Sequence, residues 1–182
     1  MENKILRVLP TEENKFKGHL HWGGQVYPCF LGEAGTLSVN QKKEGDGATP
    51  FGFFPIRSLY YRKDRLGLLT SRLPTHEFKK EDCWSDEIKD PYYNQFFSGT
   101  SKASHEKMWR EDNLYDVVIP LGYNDQEIKP GAGSCIFFHI AKDGFSPTKG
   151  CVAIDRDAML EILKKLTPGC FMRIYKSHLP HP

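Results

Sequence analysis

The sequence predicts one mainly β domain with a few helices, an α+β fold, and three observations support this. Short apolar runs separated by Gly, Pro, Asn and Asp fill most of the chain, as in proteins built from short strands. A single segment after Asp155 has convincing helical periodicity. The 182 residues suit one domain that buries roughly two thirds of its unfolded surface. We therefore expect residues 1–182 to fold as a single unit.

The first strands are predicted from a hairpin signal. Gly23-Gly24 lies between two strand-like segments, 20–22 and 25–27, and glycine tolerates the positive φ angles of a two-residue hairpin turn. Further strands are predicted at 51–61, 115–121, 134–141 and 170–175.

The strand predicted at 134–141 carries the most informative alternation. Because side chains alternate between the two faces of a strand, His139 shares one face with Cys135, Phe137 and Ala141. The opposite face carries Ile136, Phe138 and Ile140.

The helix is predicted to begin after Asp155, whose carboxylate suits an N-cap. Residues 167–169, Thr-Pro-Gly, are expected to end it. Apolar residues recur at helical spacing between these points, at Met159, Ile162, Leu163 and Leu166.

The middle of the chain, residues 73–113, is polar and aromatic with little periodicity. Loops of this length in a domain are usually functional or contain short helices. We expect this segment to be an insertion that covers the functional site.

Composition excludes several functional classes. The chain is 39% hydrophobic and 26% charged, and its net charge of +2 is spread along the sequence, so no nucleic-acid partner is predicted.

No run approaches the roughly 18 apolar residues that span a bilayer. Residues 5–10 are too short for a signal-peptide core, and Arg7 interrupts them. Either the protein stays in the cytoplasm, or a leader has been removed, or export uses another route.

The five cysteines are an odd number and show no CxxC spacing. We predict buried free thiols in a reducing compartment, with disulfides as the alternative if the protein is exported. They are Cys29, Cys83, Cys135, Cys151 and Cys170.

One His–Cys pair is the candidate for catalysis. His139 ends one apolar run and Cys151 begins another, with a loop of small residues between them. This arrangement suits nucleophilic attack by Cys151 with His139 as its base. A free thiol has a pKa near 8.5, and a nearby imidazolium and Lys149 are expected to lower it. Backbone N–H groups at Gly150 and Cys151 are candidates to hold the oxyanion.

Several alternatives remain open from the residues alone. Both His139 and Cys151 suit plain structural burial. The group that orients the imidazole is either Asp143 or a backbone carbonyl. Zinc ligation by Cys135, His139 and Cys151 is disfavoured because the closely spaced ligand pairs of zinc sites are missing.

At these residues the chain resembles the L,D-transpeptidase catalytic domain family of the YkuD type. The resemblance is to the branch whose motif is close to H-x-A followed by P-T-x-G-C-V-A-L, matched here by 139–141 and 147–154. It extends in order from about 27 to 175. Other similar blocks are 27–32, 44–52, 83–86, 93–94, 108–110, 114–116, 122–124 and 133–137.

The resemblance implies a β-sandwich of mixed sheets and a peptidoglycan stem peptide as substrate. Cys151 would attack an L-to-D peptide bond with His139 as base, and the carbonyl of Gly150 is expected to orient the imidazole ring. An amine resolves the resulting thioester in a transpeptidase, and water resolves it in an L,D-carboxypeptidase or related amide hydrolase. No metal or organic cofactor is implied. The substrate implies a periplasmic or cell-envelope location.

Two positions depart from the broad family pattern. Lys149 occupies the position before Gly-Cys where the family usually has histidine, and Ala153 replaces a polar residue two positions after the cysteine. Both departures suit the narrower branch. Because lysine stands at position 149 in place of histidine, the pKa of the Cys151 thiol is the main question about this motif.

Substrate contacts are expected from Arg110, whose planar guanidinium suits a carboxylate, and from Thr148 and Lys149 beside the nucleophile. In the alternative, the aromatic residues lie in the core and the charged residues form internal ion pairs. A module that binds wall peptides without turnover is the second functional class considered. The other candidates for the groove are Trp84, Tyr123, Asn124, Asp86, Tyr93, Asn94, Trp109, Tyr115 and Asp116.

Overall fold

The computed structural model describes residues 4–142, 144 and 146–177, which form fourteen strands and two helices. The helices are α1 (Lys63–Leu66) and α2 (Arg156–Leu163). The strands are β1 (Ile5–Pro10), β2 (Lys17–Trp22), β3 (Gln25–Phe30), β4 (Thr36–Ser38), β5 (Thr49–Pro55), β6 (Leu59–Tyr61), β7 (Thr75–Glu77), β8 (Asp82–Ser85), β9 (Phe96–Ser98), β10 (His105–Lys107), β11 (Val117–Pro120), β12 (Phe137–Ile140), β13 (Val152–Ile154) and β14 (Phe171–Ile174).

Eleven of these strands form one mixed sheet in the order β4-β5-β14-β1-β2-β3-β13-β12-β11-β6-β7. The neighbours β4·β5, β1·β14, β12·β13 and β6·β7 are parallel, and the other neighbours are antiparallel. A second, antiparallel sheet has the order β10-β8-β9. The prediction of a mainly β fold with mixed sheets is confirmed.

The large sheet folds over one apolar core, as a β-sandwich does. Ile56 bridges to Leu121 just beyond the ends of β5 and β11, which are far apart in the strand order. The Gly122 N–H donates to the Pro55 carbonyl at 2.9 Å beside this bridge. The core between the layers contains buried side chains from both halves of the sheet and from α2.

The predicted hairpin and helix start are confirmed. Gly23 and Gly24 connect β2 to β3 with φ angles of 58° and 77°. The Asp155 carboxylate caps α2 by accepting the N–H groups of Asp157 and Ala158. The helix ends at Leu163, earlier than its periodicity suggested, although Leu166 beyond it is fully buried.

Two strand predictions need correction. The segment 51–61 is two strands, because the chain leaves β5 for the bridge at Ile56 and enters β6 in a distant part of the sheet. The segment 134–141 is a strand only in β12, because Cys135 has a φ angle of +54°, which interrupts extended pairing.

The segment 73–113 contains β7 to β10, so its local structure is short strands and not short helices. Three of these strands form the second sheet. Within the described ranges, neither helix is long and apolar enough to cross a membrane.

Candidate active site

His139 lies on β12, and Cys151 immediately precedes β13, the parallel neighbour of β12. Phe138 of β12 is in register with Val152 of β13, and both side chains enter the apolar core. His139 and Cys151 therefore belong to the opposite face, where both border the same cavity. The cavity has a volume of about 670 Å³. The alternation predicted for this strand thus holds at the residues that matter for chemistry.

The Cys151 thiol is buried, with 9% of the residue exposed. It donates to the Cys135 carbonyl at 3.1 Å, and Sγ accepts the Phe137 N–H at 3.4 Å. Burial raises the pKa of Cys151 to about 12, the nearby N–H opposes this shift, and the Glu106 carboxylate adds to it. The resting nucleophile is therefore a neutral thiol.

The His139 imidazole is also buried and neutral. Its Nδ1 lies 2.7 Å from the Ile140 carbonyl oxygen, and because a carbonyl only accepts, Nδ1 carries the hydrogen. Nε2 is then the basic atom. Burial lowers the pKa of His139 to about 4, and the carbonyl at Ile140 acts in the opposite direction. The Tyr115 ring meets the imidazole edge-on at a centroid distance of 5.4 Å.

These observations correct two expectations. The carbonyl that orients the imidazole belongs to Ile140 and not to Gly150. The other candidate for this role, Asp143, lies outside the described residues. An imidazolium and Lys149 were expected to lower the pKa of the Cys151 thiol. Instead, His139 is neutral, and burial of Cys151 raises the pKa of its thiol.

The loop before the nucleophile is braced by Thr148. Its hydroxyl accepts the Gly150 N–H at 3.1 Å and donates to the Cys151 carbonyl at 2.7 Å. The Gly150 N–H is thereby engaged, so it does not point freely at an oxyanion as expected. Gly150 has a φ angle of +137°, and a Cβ there would lie 3.0 Å from the Ala48 carbonyl oxygen. Glycine is required by both the angle and the contact.

The turn at Gly45-Asp46-Gly47 forms another wall of the cavity. The Asp46 carboxylate accepts from Lys42 Nζ at 2.7 Å and from the Ala48 N–H at 2.9 Å. Only 3% of the Lys42 side chain is exposed, and its charge lowers the pKa of Cys151. No sequence pattern predicted the buried cation beside this turn.

Three of the six predicted substrate residues border the cavity: Arg110, Thr148 and Lys149. The Arg110 guanidinium is held by Asp112, with Nε–Oδ1 and Nη2–Oδ2 distances of 2.7 Å, and it lies over the Tyr115 ring. Arg110 therefore forms an ion pair within the chain, as the alternative to substrate binding proposed. Its partner is Asp112, which was not among the candidates.

The other three predicted substrate residues, Trp84, Tyr123 and Asn124, do not border this cavity. The Trp84 ring packs edge-on against Phe137 at 5.1 Å. The Tyr123 hydroxyl donates to the Ala132 carbonyl. The Asn124 amide bonds the backbone of Lys129 and Gly133. Trp84 and Tyr123 instead border a separate, smaller cavity of about 150 Å³. A substrate contact by any of these three residues stays a prediction.

Glu106 is another cavity residue that no sequence pattern predicted. It lies on β10 in register with Trp84, within a segment that has no periodic signal. Burial raises the pKa of its carboxyl, and Arg110 opposes the shift. Asp86 also raises this pKa, while Lys149 and a hydrogen bond with the Tyr115 hydroxyl lower it. Only knowledge of the strand pairing could have placed Glu106 here.

Replacing Glu106 with glutamine should lower the pKa of Cys151, because the carboxylate charge raises it. We expect the rate at which iodoacetamide alkylates Cys151 to increase about two- to tenfold at pH 8, since the thiolate is the reacting form. Peptide mass spectrometry after timed quenching measures this rate. The control is Glu81→Gln, an exposed residue outside the cavity. Equal rates in wild type and Glu106→Gln would contradict the expectation.

The structure shows the state of the five cysteines and how the possible metal ligands are grouped. All five cysteines are free thiols, as predicted, and Cys135 is the least buried of them. Across the ranges that the structure describes, no three His, Cys, Asp or Glu side chains come together to hold a metal ion.

The chain is similar to one known protein family and to one solved structure. A family profile described as L,D-transpeptidase catalytic domain, YkuD, matches residues 19–174. The crystal structure of Mycobacterium tuberculosis L,D-transpeptidase 1 is similar over 93% of this chain, with a TM-score of 0.38 and 12% sequence identity. This chain covers 61% of that protein, so it spans less than two thirds of its length. No curated protein sequence matches the chain.

Proposed function

This chain belongs to the YkuD family of L,D-transpeptidase catalytic domains, and we propose that it transfers an acyl group from a peptidoglycan stem peptide through Cys151. One observation carries the proposal: His139 on β12 and Cys151 just before the adjacent strand β13 face the same cavity, both buried and both neutral. A neutral thiol needs an adjacent base to become a nucleophile at neutral pH.

The proposed reaction has two halves. Sulfur attacks the carbonyl carbon of the L-to-D peptide bond while the S–H proton passes to Nε2 of His139. The C–N bond then breaks, and the imidazolium returns the proton to the leaving amine. In the second half an acceptor amine loses a proton to His139 and attacks the thioester, which frees the Cys151 thiol.

The shape and charge of the cavity suit a peptide ligand. Its volume lies within the range of small-molecule sites. Lys142 and Lys149 on its border suit carboxylates, and Asp86 and Glu106 suit amines. Oδ1 of Asp86 is buried and has no hydrogen-bond partner among the residues that the structure describes. A buried acceptor of this kind favours a ligand that brings an N–H group.

The test incubates the protein with a stem tetrapeptide and an amine acceptor, and analyses the products by mass spectrometry. We expect a crosslinked product from wild type and none from Cys151→Ala. The control is Cys170→Ala, a buried thiol in the apolar core that should leave the product unchanged. Wild-type product from Cys151→Ala would overturn the proposal.

The same assay separates the alternatives. A trimmed peptide without crosslink would identify water as the acceptor and thus an L,D-carboxypeptidase. A protein that binds the peptide yet forms no product and no adduct of Cys151 with a carbapenem would be a binding module without turnover.

A further inference from the structure

Asn94 joins the segment 73–113 to the residues that precede the catalytic strand. Its Oδ1 accepts the Cys135 N–H at 3.0 Å and the Trp84 indole N–H at 3.2 Å. Its Nδ2 donates to the carbonyls of Tyr123 at 3.2 Å and Asn124 at 2.8 Å. The residue is 7% exposed. All four hydrogen-bonding positions of this buried amide are therefore used, which fixes its orientation.

Cys135 is held by this amide in an unfavourable conformation. Its φ angle of +54° lies in the left-handed region, which is strained for a residue with a Cβ. The carbonyl of the same residue is the group that accepts the Cys151 S–H at 3.1 Å. The backbone of Cys135 thus connects the Asn94 amide directly to the nucleophile.

Given the proposed role of Cys151 as nucleophile, we infer that Asn94 is a positioning residue whose bond to Cys135 aims the Cys135 carbonyl at the resting Cys151 thiol. The carbonyl stabilises the protonated thiol and fixes the direction of its sulfur. Substrate must displace this contact before the proton can pass to His139. Asn94 therefore limits the reactivity of the free thiol while preparing it for the directed reaction.

Loss of the Asn94 amide should move thiol reactivity and turnover in opposite directions. Without the hydrogen bond from its N–H to Asn94, Cys135 relaxes to negative φ, and its carbonyl turns away from the sulfur of Cys151. The neutral thiol then loses its acceptor, so the thiolate becomes easier to form. The sulfur also loses its fixed direction, so attack on a bound peptide slows. A residue that merely supported the fold would change alkylation only in step with stability, because a loosened fold exposes the buried Cys151 thiol.

The experiment compares Asn94→Gly with Asn94→Asp. Glycine keeps the φ angle of 55° at position 94 but removes the amide, whereas aspartate keeps the oxygen that accepts the Cys135 N–H. We expect Asn94→Gly to be alkylated at Cys151 by iodoacetamide about two- to tenfold faster than wild type at pH 8, the range of one hydrogen bond. Its kcat should fall at least about tenfold, with a smaller change in KM.

The Asn94→Asp variant separates an effect on the reactivity of the Cys151 thiol from an effect on the stability of the fold. Its carboxylate faces the carbonyls of Tyr123 and Asn124 in place of an N–H donor, so its melting temperature should fall clearly. Alkylation of Cys151 should nevertheless stay at the wild-type rate or below it, because the bond to Cys135 is kept and a negative charge is added. Alkylation rates that follow melting temperature in both variants would overturn the inference.

Two further variants complete the design. Trp84→Phe opens the same wall but keeps the Asn94–Cys135 bond, so it controls for access of the reagent and should not accelerate alkylation. In the Asn94→Gly background, Cys135→Gly should recover part of the lost kcat because glycine adopts positive φ without cost, and Cys135→Ala should not. Equal recovery by both would contradict the inference.

Alkylation needs no peptide substrate, so the inference is tested separately from the proposed function. If wild type shows no activity on stem peptides but the alkylation rates shift as described, the proposed function fails and the control of the thiol by Asn94 stands. If wild type is active and Asn94→Gly matches it in both measurements, the inference alone fails.

Discussion

Replacing His139 with alanine should lower the rate of Cys151 acylation by about 10²- to 10⁴-fold, the usual contribution of a general base. The reason lies in the pKa of Cys151, which burial raises to about 12. At pH 7 only about one thiol in 10⁵ would be ionised without help. Burst-phase kinetics with a stem peptide measure the acylation step, and His19→Ala, an exposed histidine outside the cavity, is the control.

The pH dependence of wild type tests the same assignment. Burial lowers the pKa of His139 to about 4, so the imidazole is neutral and able to accept a proton above that pH. Acylation should therefore rise with pH through a midpoint near 4 and stay level through neutral pH. A midpoint near 8, the signature of an ordinary thiol that ionises before attack, would contradict the account of a neutral pair.

Replacing Gly150 with alanine should reduce acylation at least about tenfold and destabilise the fold by about 1–3 kcal/mol. The added Cβ would lie 3.0 Å from the Ala48 carbonyl oxygen and 3.2 Å from Cδ1 of Ile136, at a φ angle of +137°. Relief of these contacts must shift the residue before the nucleophile. Acylation kinetics and thermal unfolding of the same preparation measure the two effects.

Gly24→Ala is the matched control for Gly150→Ala. Gly24 also has a positive φ angle, but a Cβ there meets nothing within 4 Å, and the hairpin turn is not part of the cavity. This variant should lose stability and keep its acylation rate after correction for the folded fraction. Normal acylation by Gly150→Ala would show that the loop tolerates the displacement and contradict the expectation.

Much of the fold could be predicted from local sequence patterns. The glycine pair at 23–24 and the Asp155 cap are local signals, and both predict structure within a few residues of themselves. Alternation along 134–141 predicted which side chains enter the core and which share the face of the strand that carries His139. The start of that strand could not be predicted, because Cys135 has a positive φ angle and its N–H donates to Asn94, which is distant in the sequence.

The candidate site was predicted only in part for the same reason. The sequence predicts that His139 and Cys151 are close, because two apolar runs and a short loop bring them to adjacent strands. It does not predict their protonation, which depends on burial by the rest of the chain. Glu106 and Lys42 approach the thiol through a separate sheet and a turn, and no periodic pattern marks either of them.

The most direct test of the central claim is the intact mass of the protein after a brief reaction with a stem tetrapeptide and an acid quench. The account predicts a mass increase equal to the peptide minus its leaving amine, located on the peptide fragment that contains Cys151. The increase should be lost in Cys151→Ala and strongly reduced in His139→Ala. An acyl adduct on another residue, or product formed by Cys151→Ala, would contradict the account.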